Sequence, residues 1–237
     1  MLDKLDFTKV LFLDIETVPQ CANYEELPER FLKLWGKKSD SLKKNPDDTA
    51  ESLYNRAGIY AEFGKIVCIS VGMVTYRDTQ SYFKVKSFYG DDESILLQEF
   101  VLMLEKSVDR IQTICGHNVK EFDVPYICRR LLINGLHIPS LLSVMGKKPW
   151  EVPFIDTMEL WKFGDFKSYT SLDLLTAVFN IPTPKDDIDG SQVAEVYYKT
   201  GDVERIATYC EKDVFATAQL LLRLAGNPLI KEENLIK

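Results

Sequence analysis

The first apolar run of the chain, Lys9-Val10-Leu11-Phe12-Leu13, does not alternate and stops at an acid. A short unbroken run of this kind reads as a buried central strand, which predicts that Asp14 stands at its C-terminal end and overlooks a cleft. Between Cys21 and Phe63 the pattern changes to charges and turn residues, with Lys37-Lys38, Lys43-Lys44 and Asn45-Pro46-Asp47-Asp48. This stretch predicts a helical insertion that carries a mobile loop. Lys65 to Tyr76 and Gln80 to Tyr89 are rich in β-branched and aromatic residues and flank Arg77-Asp78-Thr79, which predicts an antiparallel hairpin. Leu96, Leu97, Phe100, Val101 and Leu104 then follow Asp91-Asp92-Glu93-Ser94 at helical spacing, and these acids suit the positive end of a helix dipole. Short strands are predicted at Ile111 to Cys115 and Pro153 to Asp156. Further helices are predicted from Asp123 to Asn134-Gly135, Ser171 to Phe179, Ser191 to Lys199 and Asp202 to Leu224. Asp123 reads as the N-cap of the first of these, with a proline in the first turn and a glycine at the end. The pattern is that of an α/β chain with strands early and helices late. No repeat or linker divides it, so one domain over residues 1–237 is expected.

Composition narrows the possibilities. At 237 residues and 46% hydrophobic, the chain has enough apolar surface for one substantial core. Its five cysteines are scattered, odd in number and never arranged as C-x-x-C, which argues against a zinc ribbon or a disulfide framework and points to a reducing cytoplasm. The start Met1-Leu2-Asp3-Lys4-Leu5-Asp6 lacks the basic and apolar regions of a signal peptide, and no apolar run approaches the roughly 20 residues that cross a bilayer. A soluble protein without membrane contact is expected. The net charge of −7 opposes phosphate at long range, so any nucleic-acid contact must rely on local lysines or on metal ions. His117 and His137 are the only histidines, and neither a G-x-S-x-G elbow nor a Gly-rich phosphate loop occurs, which leaves little support for nucleophile chemistry.

The acids carry the chemistry. Residues two apart in a strand project from one face, so Asp14 and Glu16 can aim both carboxylates at one point. Mg²⁺ and Mn²⁺ favour such oxygens, and paired metals about 4 Å apart can stabilise the attacking and leaving oxygens of phosphoryl transfer together. Alone, a D-x-E pair equally describes a strand end with solvated acids. In the second segment, Gly116-His117-Asn118-Val119-Lys120-Glu121-Phe122-Asp123-Val124-Pro125-Tyr126, Asp123 serves as a cap or a ligand, and Asn118 suits a turn. On the last helix, Val203, Ala207, Cys210, Val214, Ala218 and Leu221 form the core-facing stripe. Tyr209 and Asp213 each precede a member of that stripe, so they share a flank, either as a rim tyrosine and a solvated acid or as a phenol and a carboxylate facing one cleft.

Taken in order, Phe12-Leu13-Asp14-Ile15-Glu16-Thr17, Asn118-x-x-x-Phe122-Asp123 and Tyr209-x-x-x-Asp213 resemble the DEDD superfamily of 3′–5′ exonucleases, in its tyrosine subtype. The histidine subtype places His five residues before the last Asp, where this chain has Thr208. More narrowly, Gly116-His117-Asn118 followed by Phe122-Asp123-Val124-Pro125-Tyr126 resembles the exonuclease domain of family B DNA polymerases, here as a stand-alone relative. The resemblance implies a ribonuclease H-like mixed five-stranded sheet flanked by helices, with the 21–63 insertion after the first strand. It also implies two Mg²⁺ or Mn²⁺ ions held by Asp14, Glu16, Asp123 and Asp213, and a catalytic Tyr209 that orients the attacking water. Ile15, Thr17, Asn118, Phe122 and Lys185 are the expected substrate contacts. The implied partner is the 3′ end of a nucleic acid, single-stranded DNA more than RNA, and the resemblance extends to association with replication or repair proteins. The alternative is a catalytically silent nucleic-acid-binding or scaffold module on the same fold. Asp156, Asp186, Asp187 and Asp189 read either as supporting acids or as caps.

Overall fold

A computed structural model of the protein describes residues 2–78, 80–165, 169–182 and 187–237. Its strands are β1 (Val10–Pro19), β2 (Gly64–Arg77), β3 (Gln80–Tyr89), β4 (Thr113–Gly116), β5 (Ile155–Asp156) and β6 (Leu235–Ile236). Its helices are α1 (Glu29–Asp40), α2 (Glu93–Ser107), α3 (Asp123–Ile133), α4 (Thr157–Lys162), α5 (Leu172–Val178), α6 (Val193–Glu195) and α7 (Val203–Leu224). The strands form one sheet in the order β5-β4-β1-β2-β3-β6. β1 pairs antiparallel to β2 and parallel to β4, and β2 and β3 form the expected hairpin. The sheet is mixed and flanked by helices, and among the described residues it has six strands rather than the five expected. The extra strand is the two-residue β6, which adds parallel to Phe83 and Lys84 and is too short to carry a hydrophobic period.

Alternation along β1 separates two cores. Leu11, Leu13 and Ile15 pack with Phe100 of α2 and Ile127 of α3, whereas Phe12 packs with Val214 and Ala218 of α7, and Val18 with Cys210. Three of the helices begin as their sequences predict. Asp92 caps α2 through the Ile95 N–H, Ser171 caps α5 through Leu174, and Asp202 caps α7 through Arg205. The Ser191–Lys199 expectation is met by the three residues of α6 followed by a wide π turn over Val196–Thr200. Tyr198 donates to the Pro19 carbonyl, and Lys65 donates to the Tyr197 hydroxyl at 2.8 Å, which ties this turn to the ends of β1 and β2.

Two expectations need correction. β1 does not end at Asp14, because β2 continues to pair with it through Asp14↔Ser70, Glu16↔Cys68 and, past a register shift, Pro19↔Gly64. Its parallel neighbour β4 stops pairing at Phe12↔Cys115, so beyond Phe12 one edge of β1 is open. The cleft is therefore set by where β4 ends, with the two acids inside β1. In the insertion, the expected mobile loop is a turn closed by Asp48, which accepts from the N–H groups of Lys44 and Asn45 at 2.7 and 2.9 Å. The insertion has its own aromatic core around the fully buried Trp35, whose indole N–H donates to the Ala50 carbonyl at 2.8 Å. Among the described residues no helix is long and apolar enough to cross a membrane.

Candidate active site

Beyond the end of β4, Asp14 and Glu16 project from β1 on the face covered by α7. Cys210 of α7 donates its thiol to Asp14, with Sγ 3.3 Å from Oδ2 and 3.5 Å from the Asp14 carbonyl. Glu16 is 8% exposed, and no described group donates a hydrogen bond to its carboxylate. Burial pushes the Asp14 carboxyl well above the ordinary range, and the charges of Asp123, Asp213 and Glu16 push it further. Burial does the same to Glu16, followed by Asp213, Cys68 and Asp123.

The segment from Gly116 to Asp123 crosses the open edge of β1 and is held from below by Asp156. This buried carboxylate accepts from the N–H groups of Asn118 (2.9 Å), Lys120 (3.1 Å) and Met158 (3.0 Å), so it caps α4 and shapes the loop with the same two oxygens. Gly116 is required here, because a Cβ would lie 2.6 Å from the Val119 Cβ and 2.9 Å from the Leu13 carbonyl. Asn118 adopts φ +69°, which suits its type, and its buried side-chain oxygen has no hydrogen-bond partner among the described residues. His117 bridges the Thr157 hydroxyl and the Thr170 carbonyl, both at 2.9 Å, and burial pushes its pKa down. It is a neutral wall residue.

Asp123 is not the N-cap expected of it. α3 begins at Asp123 itself, the cap position is Phe122, and the Asp123 Oδ1 accepts from the Ile15 N–H of β1 at 3.2 Å. Its pKa is pushed up to about 7, chiefly by burial. Its own N–H and that of Ile15 oppose the rise, while Asp156 and Asp213 add to it. Tyr209 and Asp213 stand one turn apart on α7. Tyr209 is 6% exposed, a wall of the cluster around Val18 and Val193 rather than a rim residue, and its phenol is within hydrogen-bonding reach of Asp213. Burial, then Asp213, Glu16 and Asp14, push the phenol pKa upward, so it stays protonated at neutral pH.

Asp14, Glu16, Asp123, Tyr209 and Asp213 therefore come together from three segments. The expected substrate contacts divide. The Ile15 side chain is packed in the core between β1 and the α2–α3 layer, so only its main chain faces the acids, and Thr17 lies within hydrogen-bonding reach of Tyr126. Phe122 is half-buried with its ring 5.5 Å from that of Tyr126, leaving part of it free beside Asn118. Lys185 and Asp186 lie outside the described residues. Asp187 is engaged by Arg205 through two 2.7 Å contacts, and Asp189 accepts from the Ser191 N–H at 2.8 Å, so both serve the local chain. Sequence reasoning missed Cys210, which it took as one member of an apolar stripe, and it did not sort out Asp156, whose partners lie 36 and 38 residues away.

The donor set fits divalent cations. The Asp14 and Glu16 carboxyls are held above the ordinary range by burial and by neighbouring acids, and Asp14, Glu16 and Cys210 offer ligand atoms within 4.8 Å of one another.

The fold is shared with a solved structure, that of the family B DNA polymerase from the hyperthermophilic archaeon Pyrobaculum calidifontis, at 18% identity and a TM-score of 0.51. That likeness covers 90% of this chain but only 24% of the polymerase, so the chain spans about a quarter of that protein's length. Among curated proteins, no sequence matches the chain. The sequence profile of a family described as "Predicted 3'-5' exonuclease related to the exonuclease domain of PolB" matches residues 59–228, from the end of the insertion through α7, and the chain belongs to that family.

Proposed function

We propose that the protein is a metal-dependent 3′–5′ exonuclease of the DEDD type, tyrosine subtype, which removes 5′-mononucleotides from a single-stranded DNA 3′ end. In this reading all 237 residues act as one exonuclease domain. The observation that carries it is the meeting of four carboxylates from β1, α3 and α7, of which Asp14, Glu16 and Asp123 are raised by burial and by the charge of their acidic neighbours, beside a protonated phenol. A fold gains nothing from burying like charges together unless a cation joins them. DNA as substrate is supported by the family description and by the polymerase that shares the fold.

Asp14, Glu16 and Asp213 would hold one Mg²⁺ or Mn²⁺, and Asp14 with Asp123 a second. When bound, the ions supply positive charge for the phosphoryl oxygens and favour loss of a proton from the attacking water. The chain's own residues do the rest. Tyr209, protonated and beside Asp213, orients the water rather than deprotonating it. The Ile15 N–H holds the Asp123 carboxylate in place from β1. The Asn118 oxygen, which has no hydrogen-bond partner among the described residues, and the exposed part of the Phe122 ring receive the terminal nucleotide, the ring by stacking on base or sugar.

The test compares 3′-labelled and 5′-labelled single strands in Mn²⁺. Trimming from the 3′ end releases the 3′ label at once as a mononucleotide and shortens the 5′-labelled strand stepwise, and the Asp14→Ala/Glu16→Ala variant should do neither. Binding without trimming by the unaltered protein would instead identify a silent nucleic-acid clamp.

A further inference from the structure

Magnesium and manganese prefer oxygen ligands, yet a thiol sits at the centre of this site. Cys210 is fully buried, its Sγ lies 3.3 Å from the Asp14 Oδ2, and Asp14, Glu16 and Cys210 each offer one ligand atom within 4.8 Å of the others. A second observation points to a cation at the same place. The Glu16 carboxylate, 8% exposed and aimed at this group, receives no hydrogen bond from any described residue. The spacing suits zinc chemistry: with Zn–S of about 2.3 Å and Zn–O of about 2.1 Å, a tetrahedral edge between sulfur and oxygen is roughly 3.6 Å, close to the separation already present.

We propose that Asp14, Glu16 and Cys210 form a mixed oxygen–sulfur site that captures a thiophilic divalent cation, Zn²⁺ or Cd²⁺, and that this capture blocks the centre. The blocking half rests on the exonuclease reading above; the capture half does not. On capture the Cys210 S–H bond breaks, a sulfur–metal bond forms and the proton leaves to solvent. The thiolate then draws the cation toward α7, and the cation occupies Asp14, the carboxylate that both catalytic ions would share. Cys68 serves as the internal contrast. It pairs with Glu16 across β1 and β2 and abuts Cys210, yet it shares a 3.5 Å contact with the Ser70 hydroxyl and lies outside the group of three.

The test is titration of the full chain with CdCl₂ in magnesium-free buffer, read by the sulfur-to-cadmium charge-transfer band in the near ultraviolet. A C21S/C128S background removes the half-buried thiols elsewhere. The band should saturate at about one Cd²⁺ per chain, persist in C68S and vanish in C210S, with Cd²⁺ affinity in C210S lower by at least about 100-fold in competition with a chromophoric chelator. Because C210S alters a fully buried position, E16Q supplies the second arm: it should keep the band at saturation and need more Cd²⁺ to reach it. No band in the parent, a band that survives in C210S, or a band lost in C68S instead would overturn the assignment. In parallel, Zn²⁺ added to Mn²⁺-supported trimming should inhibit the parent at lower concentration than C210S. A cadmium band without trimming would leave the captured site standing and remove the exonuclease reading, whereas trimming without a band would remove this inference alone.

Discussion

Two buried glutamates, Glu93 and Glu16, are 7% and 8% exposed, and their surroundings could hardly differ more. Glu93, at the start of α2, is fully answered. Arg130 of α3 reaches it through Nε at 2.9 Å and through Nη2, the Ile66 N–H donates at 2.7 Å, and Asn134 donates at 3.0 Å, while the remaining Arg130 nitrogen is taken by the Ala61 carbonyl. Glu16, on the other face of the sheet, has Asp213, Asp123 and Asp14 for neighbours and no described donor. A buried charge that is paired and hydrogen-bonded belongs to the architecture; one set among like charges is waiting for something. The first arrangement locks α2 and α3 to β2, and the second keeps a vacancy of charge that the fold alone does not fill.

The comparison can be broken from either side. The largest effect expected is on activity: replacing Asp14 and Glu16 by Ala should lower 3′ trimming by at least about 10³-fold, since several kcal/mol of charge stabilisation is removed. The same pair of changes should leave the fold intact by circular dichroism. Arg130→Met is expected to do the reverse, costing about 3–5 kcal/mol in denaturant unfolding because Glu93 is left buried and unpaired, with Mn²⁺ binding retained by the folded fraction. Glu16→Gln should raise the melting temperature of the metal-free protein, where Glu93→Gln lowers it. In the parent, saturating Mn²⁺ should add about 2.7 kcal/mol at a hundred times its Kd, a gain that Glu16→Gln should largely forfeit.

A pH series sharpens the contrast further. Asp123 has its pKa raised from 3.8 to about 7 in the fold, and Asp14 and Glu16 are raised in the same direction. The protonated forms are therefore favoured by folding, so their contribution is complete below the ordinary carboxylate pKa and is lost as pH rises toward about 7. Thermal melts in chelator should show stability falling across that window, and Mn²⁺ should restore it at the upper end. The smallest effect expected is that of Tyr209→Phe. It keeps the ring in the wall made with Val18 and Val193 and removes only the hydroxyl, so kcat should fall by about 10²-fold with Mn²⁺ affinity unchanged.

What the sequence disclosed follows from the range of the forces involved. The strand run before Asp14, the hairpin around Asp78 and the capped helices at Asp92, Ser171 and Asp202 are local features, written in adjacent residues. Asp14 with Glu16, and Tyr209 with Asp213, were legible because both spacings set side chains on one face of a regular element. The continuation of β1 to Pro19 was hidden, since an acid in a strand looks like its end unless the pairing with Ser70 and Cys68 is known. The same limit applies to Asp123, which sits where a cap would sit but bonds to Ile15 of a distant strand, and to Asp156, which organises a loop and a helix at once. Cys210 was hidden by its own periodicity, because a thiol within an apolar stripe reads as packing until Asp14 is found beside it. In the insertion, the charged surface pattern concealed an aromatic core centred on Trp35.

The most direct measurement counts cations. Manganese paramagnetic resonance, followed as Mn²⁺ is added to the metal-free chain, should show two ions withdrawn from the free signal per chain, and withdrawal of both should fail in the Asp14→Ala/Glu16→Ala variant. If the parent binds no manganese, or binds it as well after those carboxylates are gone, the buried acids are not a metal centre and the account is wrong.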